Sequence, residues 1–549
     1  MIVQVTNETA NKQRKTPFRS FFLYGLLGGA IANIGSYVGT ALLGLPYPPE
    51  AVFQLLIAPV PGSIQSVIVE TFREYAKYGT FAFVSVAYTF LYGIIGIIAG
   101  HFSGKRYLAD KSRLIMFATV CPTLIGLALQ AQLAARVSTL SSASGWLVAV
   151  SLMLIVNLAY AAVLVDLAYA KTHQLFDGRT SKSQAAASSS RRGFLKRVGV
   201  AAALLAVAGI AARIGMPLFS GQPVVRSNTP IPINNRPASV DLNELPAIFR
   251  DPRISDLVGS EISDNRVFYR VDINPVPPQL SFDQWSLKVS GKVNSPLTID
   301  KEHLLAIPAK EEYATLECVS NTINLPGALI SNAKWTGVPL ADILTGAGVT
   351  PDAKSVIFRC ADGYSVGIPF DAAMRPSSLL AYKMNDEFLP QEHGAPLRAI
   401  VPGIYRMMNA KWITEIEALD NVYLGYWQQR GWSNDAKIKT TSIIYYPVPN
   451  TQSNGTMPIA GVAFAGDRGI QKVEVSTDGG NTWNDAIVKT PRSPYSWVLW
   501  AYEWTPDTKG NHMIVLRATD GNSQLQDPTD TLSFPNGASG YHSIQVTVT

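Results

Sequence analysis

The chain has 549 residues, enough for several domains, and a formal net charge of +6. Hydrophobic residues make up 47% and charged residues only 16%, against roughly 25% charged residues in an average soluble domain. This composition indicates a membrane component, and the modest positive charge, gathered between apolar stretches, argues against nucleic-acid binding.

Four long apolar stretches come first, and each approaches or exceeds the roughly 20 residues that a helix needs to cross hydrocarbon. They cover residues 20–45, 79–100, 114–134 and 146–170. A fifth follows at 198–216, whereas "LGLPYPPEAVFQLLIAPVPG" is interrupted by proline and is interpreted as a loop or interfacial segment. Residues 1–175 are therefore predicted to form a four-helix, all-α transmembrane region.

Lysine and arginine collect in three segments: the leader, the loop after the second span and the loop before the fifth. Cytoplasmic loops of membrane proteins carry such an excess. If all three lie in the cytoplasm, five spans leave everything after about residue 216 on the other side. The sequence predicts a multi-pass cell-membrane protein, embedded in lipid, whose main domain is extracytoplasmic.

The basic loop and fifth apolar stretch, residues 176–218, contain "SRRGFLK" with Arg191 and Arg192. Two arginines followed by Phe-Leu-Lys and an apolar run are typical of a twin-arginine export signal. Such export serves domains that acquire a cofactor before they cross the membrane. The motif therefore predicts the twin-arginine machinery as a partner and a cofactor in the exported part. The alternative is that both arginines only anchor the inner end of a helix.

After a proline- and asparagine-rich linker at 219–249, residues 250–438 alternate short β-like runs with turns and short helices. "DKEHLLAIP" and "PLADILTGAG" are predicted helices, the second ended by Gly346 and Gly348. Residues 439–549 are purely β, with Asp-Gly and Gly-Gly turns. The predicted fold is multidomain: an all-α transmembrane bundle, an α+β domain and an all-β immunoglobulin-like sandwich.

Cysteines and histidines limit the possible metal sites. Cys121 lies inside the third apolar stretch, while Cys318 and Cys360 fall in the α+β domain. These two can form a disulfide, or one of them can bind a soft metal as a thiolate. The sequence has no histidine pair in the middle of an apolar stretch, no HExxH and no CxxC. Haem within the chain and a zinc site are therefore not expected.

Two stretches resemble the cofactor-binding core of the sulfite oxidase family of molybdenum enzymes: "ATLECVSNTINLPGALISNAKWTGVPLADIL" (314–344) and "LLAYKMNDEFLPQEHGAPLRAIVPGIYRMMNAKWITEIEAL" (379–419). The family domain's opening element resembles "FYRVDINPVP" (268–277), and its C-terminal dimerisation domain resembles the β region with "VEVSTDGGNTW". The resemblance covers about residues 250–549. It implies a sulfite-oxidase-type molybdopterin domain and a homodimer formed through the sandwich.

In that family a pterin supplies two sulfur ligands to molybdenum and a cysteine thiolate supplies a third, so the cofactor carries a two-electron oxygen-atom transfer. The resemblance implies that Cys318 is the metal ligand, which excludes a disulfide to Cys360. Arg398 and Lys411 would hold the cofactor phosphate, one as a bidentate donor and one as a point charge. The full set of implied cofactor-binding residues is Phe268, Tyr269, Cys318, Asp342, Cys360, His393, Arg398, Asn409 and Lys411.

The substrate stays open between sulfite oxidation and sulfoxide-type reduction. Sulfite oxidases surround their oxyanion with arginines and a tyrosine, whereas here Val271 follows Arg270 and Trp432 falls where the tyrosine is expected. Arg270 and Trp432 join Cys318 as candidate catalytic residues, in a pocket suited to a larger or neutral substrate. Electrons are expected to pass through a separate carrier such as a cytochrome. The alternative function is a transport or receptor protein whose exported domain is a non-catalytic binding module.

Overall fold

The computed structural model describes residues 18–43, 47–57, 60–61, 63–65, 67, 74–102, 111–133, 143–176, 245–274, 277–322 and 329–549. The chain forms two compact units. One comprises Met1–Pro59 with Lys77–Thr229, and the other comprises Val60–Ala76 with Pro230–Thr549. Arg191, Arg192 and the fifth apolar stretch at 198–216 lie outside the described residues.

Five helices occupy most of the first unit. They are α1 Phe18–Leu43, α2 Pro48–Ile57, α3 Glu74–Phe102, α4 Lys111–Leu133 and α5 Ala143–Phe176. Stretches long and apolar enough to cross a membrane occur in three of them, at Phe21–Gly39, Ala82–Ala99 and Trp146–Val165. The third predicted span differs, because α4 begins with Lys111 and its apolar stretch, Ile115–Ala131, is shorter. In the described part of the proline-interrupted segment lies the short helix α2.

Buried polar side chains join helices of this unit. Asn157 of α5 accepts a hydrogen bond from the Tyr92 hydroxyl of α3 at 2.9 Å and donates to Thr123 Oγ1 of α4 at 3.2 Å. Asn33 of α1 donates to the Ser85 carbonyl of α3 at 2.9 Å. Such inter-helix bonds fix the register of apolar helices, because a buried amide is costly unless it is hydrogen-bonded.

The described residues between 245 and 438 form two sheets, which confirms the α+β prediction. The strands are β1 Ser286–Gly291, β2 Leu297–Asp300, β3 Lys310–Glu317, β4 Ile330–Pro339, β5 Ser355–Cys360, β6 Ser365–Pro369, β7 Leu379–Met384, β8 Glu387–Phe388, β9 Arg398–Ile400 and β10 Ile413–Leu419. One sheet has the order β2-β1-β10-β5-β6, with β1 and β10 parallel. The other is antiparallel with the order β3-β4-β7-β8, and β9 also pairs with β7.

Short α-helices precede or connect these strands. They are α6 Ser255–Gly259, α7 Lys301–Ala306, α8 Leu340–Gly346 and α9 Phe370–Ala373. Both predicted helices are present, as α7 and α8. The Asp300 carboxylate caps α7 by accepting from the His303 backbone N–H at 2.9 Å, and Gly348 follows α8 with φ +65°.

Residues 439–549 form a two-sheet β-sandwich. Its strands are β11 Thr441–Tyr446, β12 Thr451–Ser453, β13 Met457–Phe464, β14 Ile470–Ser476, β15 Asn484–Asp485, β16 Ile487–Val488, β17 Val498–Trp504, β18 Gly510–Asp520 and β19 Ser543–Val548. The sheet orders are β11-β13-β17-β16 and β12-β19-β18-β14-β15. Trp500, Ile514 and Val546 are fully buried in its core. Since this region has no cysteine, apolar packing holds the two sheets together.

The sandwich supports the strand that leads to the predicted metal ligand. β3 lies at the edge of its sheet, and its Thr315 N–H donates to the Tyr495 carbonyl at 3.0 Å. In return, the Trp497 N–H donates to Thr315 Oγ1 at 2.9 Å. These bonds satisfy an otherwise open strand edge and fix the position of Cys318 at its end.

Candidate active site

Cys318 directly follows β3 and is buried as a free thiol. Its N–H donates to the Leu329 carbonyl at 2.9 Å, and its Sγ lies 3.0 Å from Ser320 Oγ. Cys360 is also a free, buried thiol, so the two cysteines form no disulfide. Burial raises the pKa of the Cys318 thiol, and a thiolate at this position therefore requires a compensating cation.

Cys318 lines a concave cavity of the catalytic region. Its walls are mainly aromatic and apolar. The lining residues are Gln65, Val271, Asp272, Ile273, Cys318, Val319, Ser320, Asp362, Tyr364, Arg406, Met407, Asn409, Ala410, Lys411, Trp412, Trp427 and Trp432. A free thiol thus faces a concave, largely apolar space.

Two buried arginines, Arg398 and Arg406, have guanidinium nitrogens without protein partners. Arg398 is fully buried, donates Nη1 to the His393 carbonyl at 3.0 Å and stacks on Trp335. Arg406 donates Nη1 to the Val271 carbonyl at 3.0 Å. Within the described part of the chain, Nε and Nη2 of both arginines have no hydrogen-bond partner.

Burial, and secondarily the neighbouring Arg406, lowers the pKa of Arg398 to about 9. Two adjacent buried cations with free donors are costly unless an anion binds them, so this pair is a candidate anion site.

Lys411 is buried too, but its charge has a partner. Its Nζ is hydrogen-bonded to Asp272 Oδ1 and donates to the Glu392 carbonyl at 3.0 Å. Burial lowers the pKa of Lys411, while the Asp272 carboxylate opposes that shift. The ammonium also lies 4.1 Å from the ring centre of Trp412. Lys411 therefore reaches the cavity as half of an ion pair.

His393 has one ring nitrogen occupied and one open. Nε2 lies 2.6 Å from the Asn265 carbonyl and donates to it, because a carbonyl can only accept. In the neutral ring, Nδ1 is then an acceptor. Nδ1 has no partner among the described residues. Burial lowers the pKa of His393 to about 3, with Arg398 contributing, so the ring stays neutral and can accept an N–H from a ligand.

Gly394 allows these side chains to come together. Its φ is +112°, and a Cβ there would lie 3.0 Å from Lys411 Cβ and 3.2 Å from Arg398 Cβ. A side chain at this position would be strained and would push the two cations apart. The glycine of "HGAPLR" is therefore explained by close packing.

The predicted aromatic residues lie in or beside the site. Phe268 and Tyr269 are buried next to it: Phe268 contacts the His393 ring edge-on, and Tyr269 stacks against Arg406. Trp432 lines the cavity, its indole N–H without a partner in the described residues, and its ring contacts Phe534 edge-on.

Cys360 and Asn409 differ in their relation to the cavity. Cys360 is buried but is not among the lining residues. Asn409 does line the cavity, yet its amide bonds to backbone, accepting from the Val401 N–H at 2.6 Å and donating to the Tyr405 carbonyl at 3.3 Å. Asn409 therefore stabilises a loop beside the site.

Arg270 and Asp342 are not brought to the cavity. Both are exposed, and neither lines it. Arg270 follows two buried aromatic residues in irregular backbone and faces outward. In α8 the buried residues are Leu340, Ile343 and Leu344, which leaves Asp342 on the opposite face of the helix. The predictions that placed these two residues at the site are corrected accordingly.

Arg406 and Gln65 are site residues that the sequence analysis missed. A usable signal existed for Arg406: residues 393–414 contain three basic side chains, one of them Arg406, and no acidic residue. Nothing in the sequence singles out Gln65, which precedes Cys318 by about 250 residues.

Comparison with known proteins places the site in a family. The model of the oxidoreductase molybdopterin binding domain matches residues 273–427, and that of the Mo-co oxidoreductase dimerisation domain matches residues 434–548. The two matches together cover just under half of the chain and support membership of the sulfite oxidase family. This confirms the predicted resemblance and the predicted molybdopterin cofactor.

Mitochondrial sulfite oxidases of Drosophila melanogaster and Homo sapiens are 30% and 29% identical, over 46% and 50% of this chain. The chain spans 52% and 58% of their lengths, little more than half. Arabidopsis thaliana sulfite oxidase is 27% identical over 53% of this chain and 88% of its own. The sulfane dehydrogenase SoxCD from Paracoccus pantotrophus has a TM-score of 0.48 at 23% identity, covering 60% of this chain and 96% of its own.

The residues present fit the family's cofactor. The open donors of Arg398 and Arg406 suit a phosphate, and the open His393 Nδ1 suits a pterin N–H. In the described ranges, no group of three or more His, Cys, Asp and Glu side chains could hold a metal ion by itself. A metal at Cys318 therefore requires ligands from an organic cofactor, as a molybdopterin provides.

Proposed function

We propose that this protein is a membrane-anchored, extracytoplasmic molybdenum-cofactor oxidoreductase that reduces an uncharged, sulfoxide-type substrate. The observation that carries the proposal is the cavity beside Cys318, which is walled by aromatic side chains and has balanced charges. Reduction of a sulfoxide consumes two electrons and two protons and yields a thioether and water.

Charge decides between sulfite and a neutral substrate. Four charged side chains occur among the described lining residues. Two are cationic and two are anionic, so their formal charges cancel: Arg406, Lys411, Asp272 and Asp362. A bound cofactor phosphate would use the open donors of Arg406, and Lys411 is already paired. Little positive charge is left for an oxyanion, whereas aromatic walls favour an apolar substituent on the substrate sulfur.

Each site residue has a role in this proposal. Molybdopterin supplies the metal and the two-electron chemistry when bound. Cys318 holds the metal through its thiolate, Arg398 and Arg406 hold the phosphate, and His393 accepts from the pterin. Trp427 and Trp432 form the substrate wall and exclude water from the reacting atoms.

Membrane placement follows from the basic loops and is supported by the packing of residues 60–76. This segment lies between the first two predicted spans, in a loop that the charge pattern assigns to the extracytoplasmic side. It belongs to the same compact unit as Pro230–Thr549. In this proposal the loop and the catalytic region therefore share one side of the membrane. In this proposal Arg191 and Arg192 direct twin-arginine export, a separate carrier such as a cytochrome supplies electrons, and the sandwich forms a homodimer.

Steady-state kinetics of the detergent-purified, full-length protein test the substrate. We expect dye-linked reduction of methionine sulfoxide with a kcat/KM at least tenfold above that for sulfite with ferricyanide. Trp432→Arg should shift this ratio toward sulfite. A protein that oxidises sulfite efficiently and ignores sulfoxides contradicts the proposed substrate.

Metal analysis of the same preparation tests the enzyme itself. We expect about one molybdenum per chain, and Cys318→Ser should abolish turnover while the protein is still exported and folded. Cys121→Ser, the same change in α4, is the matched control and keeps full activity. A chain without molybdenum, whatever its activity, supports instead a transport or receptor protein with a binding module.

A further inference from the structure

A segment from the first predicted loop reaches the active-site cavity. Residues Val60–Ala76 follow α2 in sequence and end within the first turn of α3, but they belong to the compact unit that contains Cys318. Of the described residues in this segment, Gln65 lines the cavity. The family models match far downstream of it, at residues 273–427 and 434–548.

The backbone around Gln65 turns this side chain inward. The Ile64 and Gln65 N–H groups both donate to the Pro61 carbonyl, at 3.0 and 3.1 Å, and Gln65 Nε2 donates to the Val60 carbonyl at 2.9 Å. Gln65 is only 7% exposed, whereas its neighbours Ile64 and Val67 are 52% and 54% exposed. The bond to the Val60 carbonyl satisfies a donor of this buried amide and holds its side chain against the cavity.

We propose that Gln65 is a specificity-determining residue that closes one wall of the cavity and presents an uncharged amide to the substrate. The inference rests on the proposed function and extends it to the substrate oxygen. An amide N–H suits the strong acceptor oxygen of a sulfoxide, and it adds no charge to a cavity whose charges already cancel.

Thiol labelling tests the position of Gln65 independently of catalysis. In the full-length protein, Gln65→Cys should react with a maleimide at least tenfold more slowly than Ser63→Cys, which lies on the exposed side of the same turn. Dimethyl sulfide, a thioether product, should slow the Gln65→Cys reaction further and leave Ser63→Cys unchanged. Peptide mass spectrometry separates these sites from Cys121, Cys318 and Cys360. Equal rates for the two variants overturn the inference.

Kinetics test the role of the amide. Removing one neutral hydrogen bond to bound substrate should raise KM for methionine sulfoxide about three- to tenfold in Gln65→Ala, with kcat nearly unchanged. Gln65→Asn should recover part of the loss, and Ser63→Ala is the matched control with wild-type values. A wild-type KM in Gln65→Ala overturns the specificity role. Lack of molybdenum or of sulfoxide reduction in the wild type contradicts the proposed function, while the labelling result still decides where Gln65 lies.

Discussion

Arg468 in the β-sandwich and Arg398 in the catalytic region have very different hydrogen-bond partners. Arg468 is half-buried and uses all three donor positions: Nε on Asp520 Oδ2 at 2.7 Å, Nη1 on the Ile438 carbonyl at 3.0 Å, and Nη2 on Thr440 Oγ1 at 3.2 Å. Arg398 is fully buried and uses only Nη1. Arg398, the more deeply buried of the two cations, therefore has fewer hydrogen-bond partners than Arg468.

His393 and His542, which are both buried, repeat this difference. In the sandwich, His542 Nδ1 accepts the Ile444 N–H at 3.0 Å, whereas His393 Nδ1 has no partner in the described chain. Folding alone favours complete pairing of buried polar groups. Buried polar groups with hydrogen-bond partners stabilise the fold. The donors and acceptors left open in the catalytic region are available to bind a ligand. Mutations in the two sets should consequently have different effects.

The largest loss of stability is expected from Glu261→Gln. The buried Glu261 carboxylate accepts from Lys489 Nζ at 2.6 Å and from Arg492 Nε at 3.0 Å, joining the catalytic region to the sandwich. Without it the buried Lys489 has no carboxylate, so the free energy of unfolding should fall by about 3–5 kcal/mol. Urea unfolding followed by tryptophan fluorescence measures this change.

Glu503→Gln is the matched control, since Glu503 is exposed on β17 and such substitutions usually change stability by no more than about 0.5 kcal/mol. Molybdenum per folded chain should stay at the wild-type level in Glu261→Gln. A variant that loses molybdenum with unchanged stability would show that this triad serves the cofactor rather than the fold.

Arg398→Met should instead weaken cofactor binding without lowering the stability of the fold. Two open donors each contribute about 1.5–3 kcal/mol to a charged partner, so cofactor affinity should fall about 100-fold or more. Molybdenum content of the purified protein reports this loss. The cofactor-free protein should be as stable as wild type or more so, because an uncompensated buried charge has been removed.

Arg468→Met provides the reverse case with the same chemical change. It should lower the free energy of unfolding, because Asp520 loses its guanidinium partner, and leave the molybdenum content of the folded protein unchanged. If both variants lose molybdenum equally, the difference between paired and open arginines has no functional meaning.

Much of the fold was predictable because its signals are local. The short strands, α7, α8 and the change to an all-β pattern follow from residue alternation and turn residues over a few positions. The sheet orders were not predictable, since the pairing of β1 with β10 joins residues more than a hundred positions apart. The shorter apolar stretch of α4 shows the limit of reading spans from hydrophobicity alone.

The site residues that belong to an ordered sequence motif were predictable, and the other site residues were not. Cys318 and Lys411 line the cavity, and Arg398 and His393 are bonded to each other beside it. Position within the motif did not predict where Asp342 lies, because helical periodicity turns its side chain to solvent. Gln65 could not be foreseen at all, since only tertiary packing brings the first loop to the cavity.

The smallest effect concerns His542 and depends on pH. Burial lowers the pKa of His542 from its usual 6.5 to about 4, so between these values the unfolded chain binds the proton and the folded chain does not. The free energy of unfolding therefore rises with pH across this window. The stabilisation that the neutral His542 provides is complete above pH 6.5. Acidification to pH 5 should cost about 2 kcal/mol.

Hydrogen exchange of the Ile444 amide measures this effect directly, because that N–H is the donor to His542 Nδ1. After correction for the intrinsic rate, protection in wild type should weaken between pH 6.5 and 5. In His542→Asn an amide oxygen can accept the same N–H but does not titrate, so protection should lose its pH dependence while molybdenum content is unchanged. His393→Asn, the same change at the open histidine, should lower molybdenum content and leave Ile444 protection unaltered. An identical response of the two variants would mean that the pairing of a buried histidine does not tell a structural group from a ligand-binding one.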